Sequence, residues 1–175
     1  MQMNSHRTSA LYTAEAVRKM DASEIVAGTD GYTLMRRAAH SAFRLIRKRW
    51  PRAKHLVVLC GPGNNGGDGY VVAELAKRSG RDVSLFTTGA PITPSAQNAA
   101  SDAAAAGVVV QDFDNKIMIK ADLIIDAIYG TGLNREPDLK AAALIECTNA
   151  QSAPCLAIDI PSGLQADNGH APGVA

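Results

Sequence analysis

Aromatic residues are scarce in this 175-residue chain, at 5%, and neither sign of charge is in excess: 18 Lys and Arg against 17 Asp and Glu leave a formal net charge of +1. A base-stacking platform needs the first and a polyanion-binding surface needs the second, so neither nucleic acid nor a membrane surface is an expected partner. No run of ~18 apolar residues is present to span a bilayer. The first ten residues are polar and lack the apolar stretch of a signal peptide. The expected location is therefore the cytoplasm. Cysteine is thin too: Cys60, Cys147 and Cys155 form no C-x-x-C pair, two of them sit in apolar runs, and buried reduced thiols are the expectation.

Against these absences stands an ordinary globular composition, 46% hydrophobic and 20% charged. It is enough for one domain with a real core and too little chain for two. Residues 11–26 carry Leu11, Ala14, Val17, Met20 and Ile25 at helical spacing. After a break at 28–31, Leu34, Met35, Ala38, Ala42, Leu45 and Ile46 mark a second helix, with Arg36, Arg37, Arg44, Arg47 and Lys48 on its solvated side and Pro51 beyond its end. From residue 55 the pattern changes. Residues 55–60 form a continuous apolar run, as expected of a strand buried on both faces. A glycine-rich loop and a helix ending at Gly80 follow, then a strand over 82–88. Thr93 and Pro94 read as N-cap and first helical position of an alanine-rich helix that stops at Gly107. Strands are predicted at 108–111, 122–126 and 155–159, the last two separated by a loop over 127–137 and a helix to about residue 150. This alternation specifies a doubly wound, Rossmann-like three-layer α/β/α fold with a mainly parallel sheet, in one domain over 1–175. The chain stops after a loop, where an uncovered sheet edge would remain. The expectation is a domain lacking its C-terminal part.

In open parallel sheets ligands bind beyond the carboxyl ends of the strands, and three such ends are unusual here. After the first strand, Gly61, Gly63 and Gly66 make a literal G-x-G-x-x-G. The ribose-binding acid of a dinucleotide dehydrogenase, due about 20 residues on, is missing from 86–89, and no P-loop lysine follows the glycines. What remains is a loop of left-handed-tolerant residues, Asn64, Asn65, Gly66, Gly67 and Gly69, able to aim backbone N–H groups at one anion. Asp68 is placed to N-cap the next helix, a role the spacing favours over catalysis. After the fourth strand, Asp126 ends an apolar run, so its charge needs a partner or a cation. Residues 130–136 form another small-residue loop that could hug phosphate oxygens, with Arg135 available or simply solvated. After the fifth strand, Asp159 is again a carboxylate ending an apolar strand, and the chain turns through Pro161, Ser162 and Gly163. Capping could explain any one of these acids. Two acids and an anion loop on one sheet edge point to a shared crevice.

The segments GNNGGDG at 63–69, DAIYGTGL at 126–133 and DIPSGL at 159–164 resemble, in order and separation, the signature segments of the NAD(P)H-hydrate epimerases. The likeness extends to the N-terminal helices around Leu34, Met35 and Ala38 and covers essentially the whole chain. It differs at Ala39, where the family commonly has glycine, which touches only local packing. The resemblance implies an isomerase that interconverts the R and S forms of NADHX or NADPHX, in which water has added to the reduced nicotinamide ring. It implies that Asn64, Asn65, Gly66, Gly67 and Asp68, together with Gly130, Thr131, Gly132, Leu133, Asn134, Arg135 and Glu136, hold the damaged cofactor. Asp159 would contact the damaged ring, and Asn65, Asp126 and Ser162 would bind a potassium ion. A homodimer is implied, as is fusion in some bacterial relatives to an ADP- or ATP-dependent hydrate dehydratase.

The residue types suit this chemistry. The hydrated carbon bears a hydroxyl and the ring nitrogen, so loss of the hydroxyl leaves an iminium-like cation that a carboxylate can stabilise while moving protons; Asp159 is the candidate. Ring opening and reclosure could use the same acid. One carboxylate, one amide oxygen and one hydroxyl are hard ligands of low charge, as a monovalent cation prefers. Similar domains also serve as non-catalytic RNA- or protein-binding scaffolds. Near-zero charge and the intact Asp126, Asp159 and Ser162 count against that alternative. A conventional NAD(P) oxidoreductase fails on the missing ribose acid.

Overall fold

The computed structural model describes residues 12–113 and 120–175. Two helices, α1 (Ala14–Val26) and α2 (Gly31–Arg49), precede an alternating series: β1 (His55–Cys60), α3 (Asn64–Arg78), β2 (Asp82–Thr87), α4 (Pro94–Ala105), β3 (Val110–Asp112), β4 (Leu123–Ala127), α5 (Leu139–Asn149) and β5 (Cys155–Ala157). The five strands form one parallel sheet in the order β3-β2-β1-β4-β5. The chain therefore builds outward from β1 to β3, then returns to the other side of β1. That reversal opens a crevice between the ends of β1 and β4.

Strand side chains alternate, and the two sets bury against different partners. Leu56, Val58, Cys60, Leu85, Leu123 and Ile125 pack with α2, α3 and α4 in one core. Val57, Leu59, Phe86, Ile124 and Ile128 pack with α5 through Ala141, Leu144 and Ile145 in the other. Central strands covered on both faces read as unbroken apolar runs for this reason.

The helix ends follow the expected local chemistry. Thr93 caps α4 through the Ala96 N–H with Pro94 behind it. Asp30 caps α2, Asp138 caps α5, and Gly80 and Gly107 take positive φ just past α3 and α4. Between α2 and α3 the buried Glu74 accepts from Arg36 and Arg78, each at 2.8 Å, so Arg36 ties two helices together and is not merely solvated.

Several expectations need correction. The buried face of α2 is Met35, Ala39, Phe43 and Ile46, whereas Ala38 and Leu45 are exposed. Ala39 is fully buried, so a methyl group is accommodated there. On α1 only Ala14 is buried, and Val17, Met20 and Ile25 face solvent; Leu11 lies outside the described residues. The third strand is displaced to Val110–Asp112, and the fifth is shorter than expected, ending at Ala157. All three thiols are free, but only Cys60 is buried and Cys155 is exposed. Among the described residues no helix is long and apolar enough to cross a membrane.

Candidate active site

Three chain segments meet at the switch point. The first is the corner between β1 and α3, and it corrects the sequence reading. Asn64, Asn65, Gly66, Gly67 and Asp68 are already helical, and neither Gly66, Gly67 nor Gly69 has a positive φ. The glycines are there for space. A Cβ on Gly66 would stand 1.8 Å from the Gly61 carbonyl oxygen, and one on Gly69 would stand 2.7 Å from both the Ala127 Cβ and the Cys60 Sγ. Gly67 likewise leaves room for the Met35 side chain of α2. Helix α3 is thus pressed against the ends of β1 and β4, with its N-terminus at the crevice. Its cap is Gly63, which brings no side-chain acceptor, so the first amides of α3 point onward. Asp68 is not the cap.

Polar side chains on these first turns are poorly matched within the protein. Asn64 accepts from the Thr93 hydroxyl at 2.6 Å, a tie across to α4 that nothing in the sequence signalled. Both amide atoms of Asn65 and the Oδ1 of Asp68 are buried without a hydrogen-bond partner. Burial pushes the Asp68 carboxyl up to about 7, helped by the negative charges of Asp159 and, less, of Asp21 on α1. The reach of Asp21 into the site, like the bond that holds the first amide of α1 to the Asp167 carboxylate at 2.8 Å, joins residues too distant in sequence for any local pattern to reveal.

The second and third segments follow β4 and β5, and they are clasped together. Asp126, pointing to the α5 side, accepts from the Ser162 N–H at 2.8 Å, the Ser162 hydroxyl at 2.5 Å and the Ile128 N–H at 3.2 Å. The Ser162 oxygen in turn accepts from the Tyr129 N–H at 2.9 Å. Burial raises the Asp126 carboxyl above its ordinary range, opposed by these hydrogen bonds. Behind the pair, on the α5 side, is a cavity of about 210 Å3 lined by Leu59, Ile128, Ile145, Cys155 and Pro161 as well as Asp126 and Ser162.

Asp159 is exposed, just past the last ladder bond of β5, from the Ile158 N–H to the Asp126 carbonyl. Its Oδ2 accepts from the Thr131 N–H at 2.8 Å. A Cβ on Gly130 would come within 2.4 Å of that oxygen, so Gly130 is the gap into which the carboxylate fits. Leu133 closes a turn onto the Gly130 carbonyl at 3.1 Å. Asn134, Arg135 and Glu136 are exposed on the same loop, with Glu136 lying against Gly173. The structure therefore joins Asp126 to Ser162, and Asp159 to Gly130 and Thr131, and sets Asp68 within the field of Asp159. Asn65 has no bond to Asp126 or Ser162; its amide faces the interior unpaired.

Comparison with known proteins identifies the family of the chain. The family described as YjeF-related protein N-terminus matches residues 31–175. The NAD(P)H-hydrate epimerase of Limosilactobacillus fermentum is 35% identical over 96% of this chain and 82% of its own length. The chain belongs to the NAD(P)H-hydrate epimerase family. Its members include the bifunctional NAD(P)H-hydrate repair enzyme Nnr of Escherichia coli K12, 43% identical over 85% of this chain, and that of Coxiella burnetii, 34% identical over 95%. The chain spans only about a third of those two relatives, 29% and 35% of their lengths. The crystal structure of yeast ynu0, YNL200c, shares the fold, with a TM-score of 0.76 at 24% identity over 91% of this chain and 74% of its own.

Proposed function

We propose that this epimerase-family domain interconverts the R and S forms of hydrated NADH or NADPH. The observation that carries the reading is the seating of Asp159: a carboxylate past the end of β5, fixed by the Thr131 N–H and fitted against Gly130, beside a helix N-terminus free to take an anion. In this reading the first amides of α3 receive an anionic group of the cofactor, Asn64, Asn65, Gly66, Gly67 and Asp68 line the crevice that holds it, and residues 130–136 close over it. Asp159 faces the damaged ring. It stabilises the positive charge that develops when the C–O bond of the hydrated carbon breaks. The relatives that carry the same domain alone or fused are named for the epimerase and repair activities.

A potassium ion belongs to the same proposal. Asn65 offers a buried amide oxygen without a partner, and Asp126 and Ser162 add a carboxylate and a hydroxyl. Among the described residues no three His, Cys, Asp or Glu side chains gather, so the oxygen-rich, weakly charged set suits a monovalent ion. Bound there, the ion would offset the charge of Asp126 and hold the loops after β1, β4 and β5 together. A homodimer, a cytoplasmic setting and a fused dehydratase in the natural protein complete the proposal; free thiols fit the setting, and the bifunctional relatives fit the fusion.

The test supplies one purified epimer of NADHX and follows equilibration by chromatography against an enzyme-free control, in potassium and with potassium replaced. Asp159→Ala is expected to abolish the enzymatic rate while leaving the melting temperature near the wild-type value. Wild-type rates in that variant would remove Asp159 from the mechanism.

A further inference from the structure

Epimerisation through an iminium-like centre needs two things from the protein: a negative charge near the ring, and a proton for the departing oxygen. One carboxylate can do both only in turn: it is neutral until it has given up its proton, and so offers no charge as the C–O bond begins to break. We propose that the two tasks are divided, with Asp159 supplying the charge and Asp68, on the facing turn of α3, acting as the catalytic acid and base. The inference rests on the epimerase reading and adds a second reacting residue to it.

The geometry separates the two acids. Asp159 is exposed and already accepts from the Thr131 N–H. Asp68 sits one residue before Gly69, where α3 is driven against Ala127 and Cys60, and its Oδ1 is buried with no donor to satisfy it. A carboxylate in that position is poorly stabilised, whereas a carboxylic acid can turn its O–H toward a substrate oxygen. The groups that bear on it agree. Asp159 beyond β5 and Asp21 on α1 both oppose its negative charge, the Cys60 thiol of β1 is buried beside it and held protonated, and Arg36 of α2 is committed to Glu74. Burial first, and then the negative charges of Asp159 and Asp21, bring Asp68 to about 7, where it holds and gives up a proton with comparable ease. Two neighbouring carboxyl groups in unlike surroundings are thereby suited to different tasks.

The step balances without any further reagent. Asp68 gives its proton to the hydroxyl on the hydrated carbon; the C–O bond breaks with its electron pair on oxygen, and water leaves. The ring-nitrogen lone pair forms the C=N bond, and the cation faces Asp159. Water then adds to the opposite face: its oxygen pair forms the new C–O bond, the C=N pair returns to nitrogen, and the surplus proton passes to solvent water, from which the Asp68 carboxylate is reprotonated. Nothing is oxidised or reduced, and only the configuration changes.

The test compares wild type, Asp68→Asn and Asp21→Asn on a single NADHX epimer between pH 5.5 and 8.5, with thermal melts of each and calorimetric titration of the epimer into the slow variant. Wild type should lose rate as pH rises through about 7, because the acid form is consumed. Asp68→Asn should lose about 100-fold or more in kcat, bind the epimer within a few-fold of the wild-type KM and show no alkaline limb. Asp21→Asn, which alters only an exposed helix residue, should keep its rate at low pH and move the limb to lower pH. A wild-type-like rate in Asp68→Asn overturns the assignment. So does loss of binding with kcat retained, which would make Asp68 a holding residue. A wild-type rate with no alkaline fall overturns it as well, whether or not the variant folds. An inactive wild type removes the epimerase reading itself, and this inference with it.

Discussion

Asp126, buried, and Asp68, half-buried with one oxygen enclosed, are both acids at the carboxyl edge of one sheet, and both are shifted toward the protonated form, yet their surroundings could hardly differ more. Asp126 is surrounded by donors, from the backbone and hydroxyl of Ser162 and the backbone of Ile128, and so fastens the β5 loop to the end of β4. Asp68 has an oxygen that nothing in the protein satisfies. A satisfied buried acid holds structure. An unsatisfied one is a cost the fold bears for a ligand.

The contrast can be broken most forcefully at the clasp. Asp126→Ala strands the Ser162 N–H, its hydroxyl and the Ile128 N–H at once. It should destabilise the protein by about 3 kcal/mol, lowering Tm by about 6–12 °C for a chain of this size. A melt within a degree of wild type would show that the clasp holds nothing. At Asp68 the effect is smaller and has the opposite sign. Its ordinary value of 3.8 rises to about 7 on folding, so stability from this group is complete below about pH 4 and is lost as pH rises to about 7. Asp68→Asn escapes that loss. It should melt with wild type near pH 4 and be more stable by about 1–2 kcal/mol at pH 8, the gap opening across that interval. A gap that closes as pH rises would reverse the argument. The least change is expected from Asp122→Asn. This acid is fully exposed and accepts from the Lys54 and His55 amides at the opposite, amino-terminal edge of the sheet. Epimerisation should stay within about two-fold of wild type, and a larger loss would mean that the two edges are not functionally distinct.

These comparisons also show what could be read without coordinates. Strands buried on both faces announce themselves as apolar runs, so Asp126 and Asp159 stood out as acids at strand ends, and the small, turn-forming Ser162 came with them. The helix caps at Thr93, Gly80 and Gly107 were equally local and equally legible. The region 64–69 misled because glycine has two uses. Sequence suggested conformational freedom; the structure shows exclusion of side chains, set by Gly61, Met35, Ala127 and Cys60, which lie on other elements or across a turn. Once those residues are helical, Asp68 cannot cap, and its role has to be sought in what surrounds it. The same holds for α2, where the rotation of the helix, not its periodicity, chose Ala39 over Ala38 for the core.

The close approach of Gly66 to Gly61 has one more consequence. Main chain rests on main chain there, with no rotamer to adjust and no side chain to trim. The floor of the crevice is therefore stiff, and point changes cannot reshape it gradually. Any retuning of what the crevice admits must come from its rim, the exposed residues Asn134, Arg135 and Glu136, which can be exchanged without disturbing the base on which they stand.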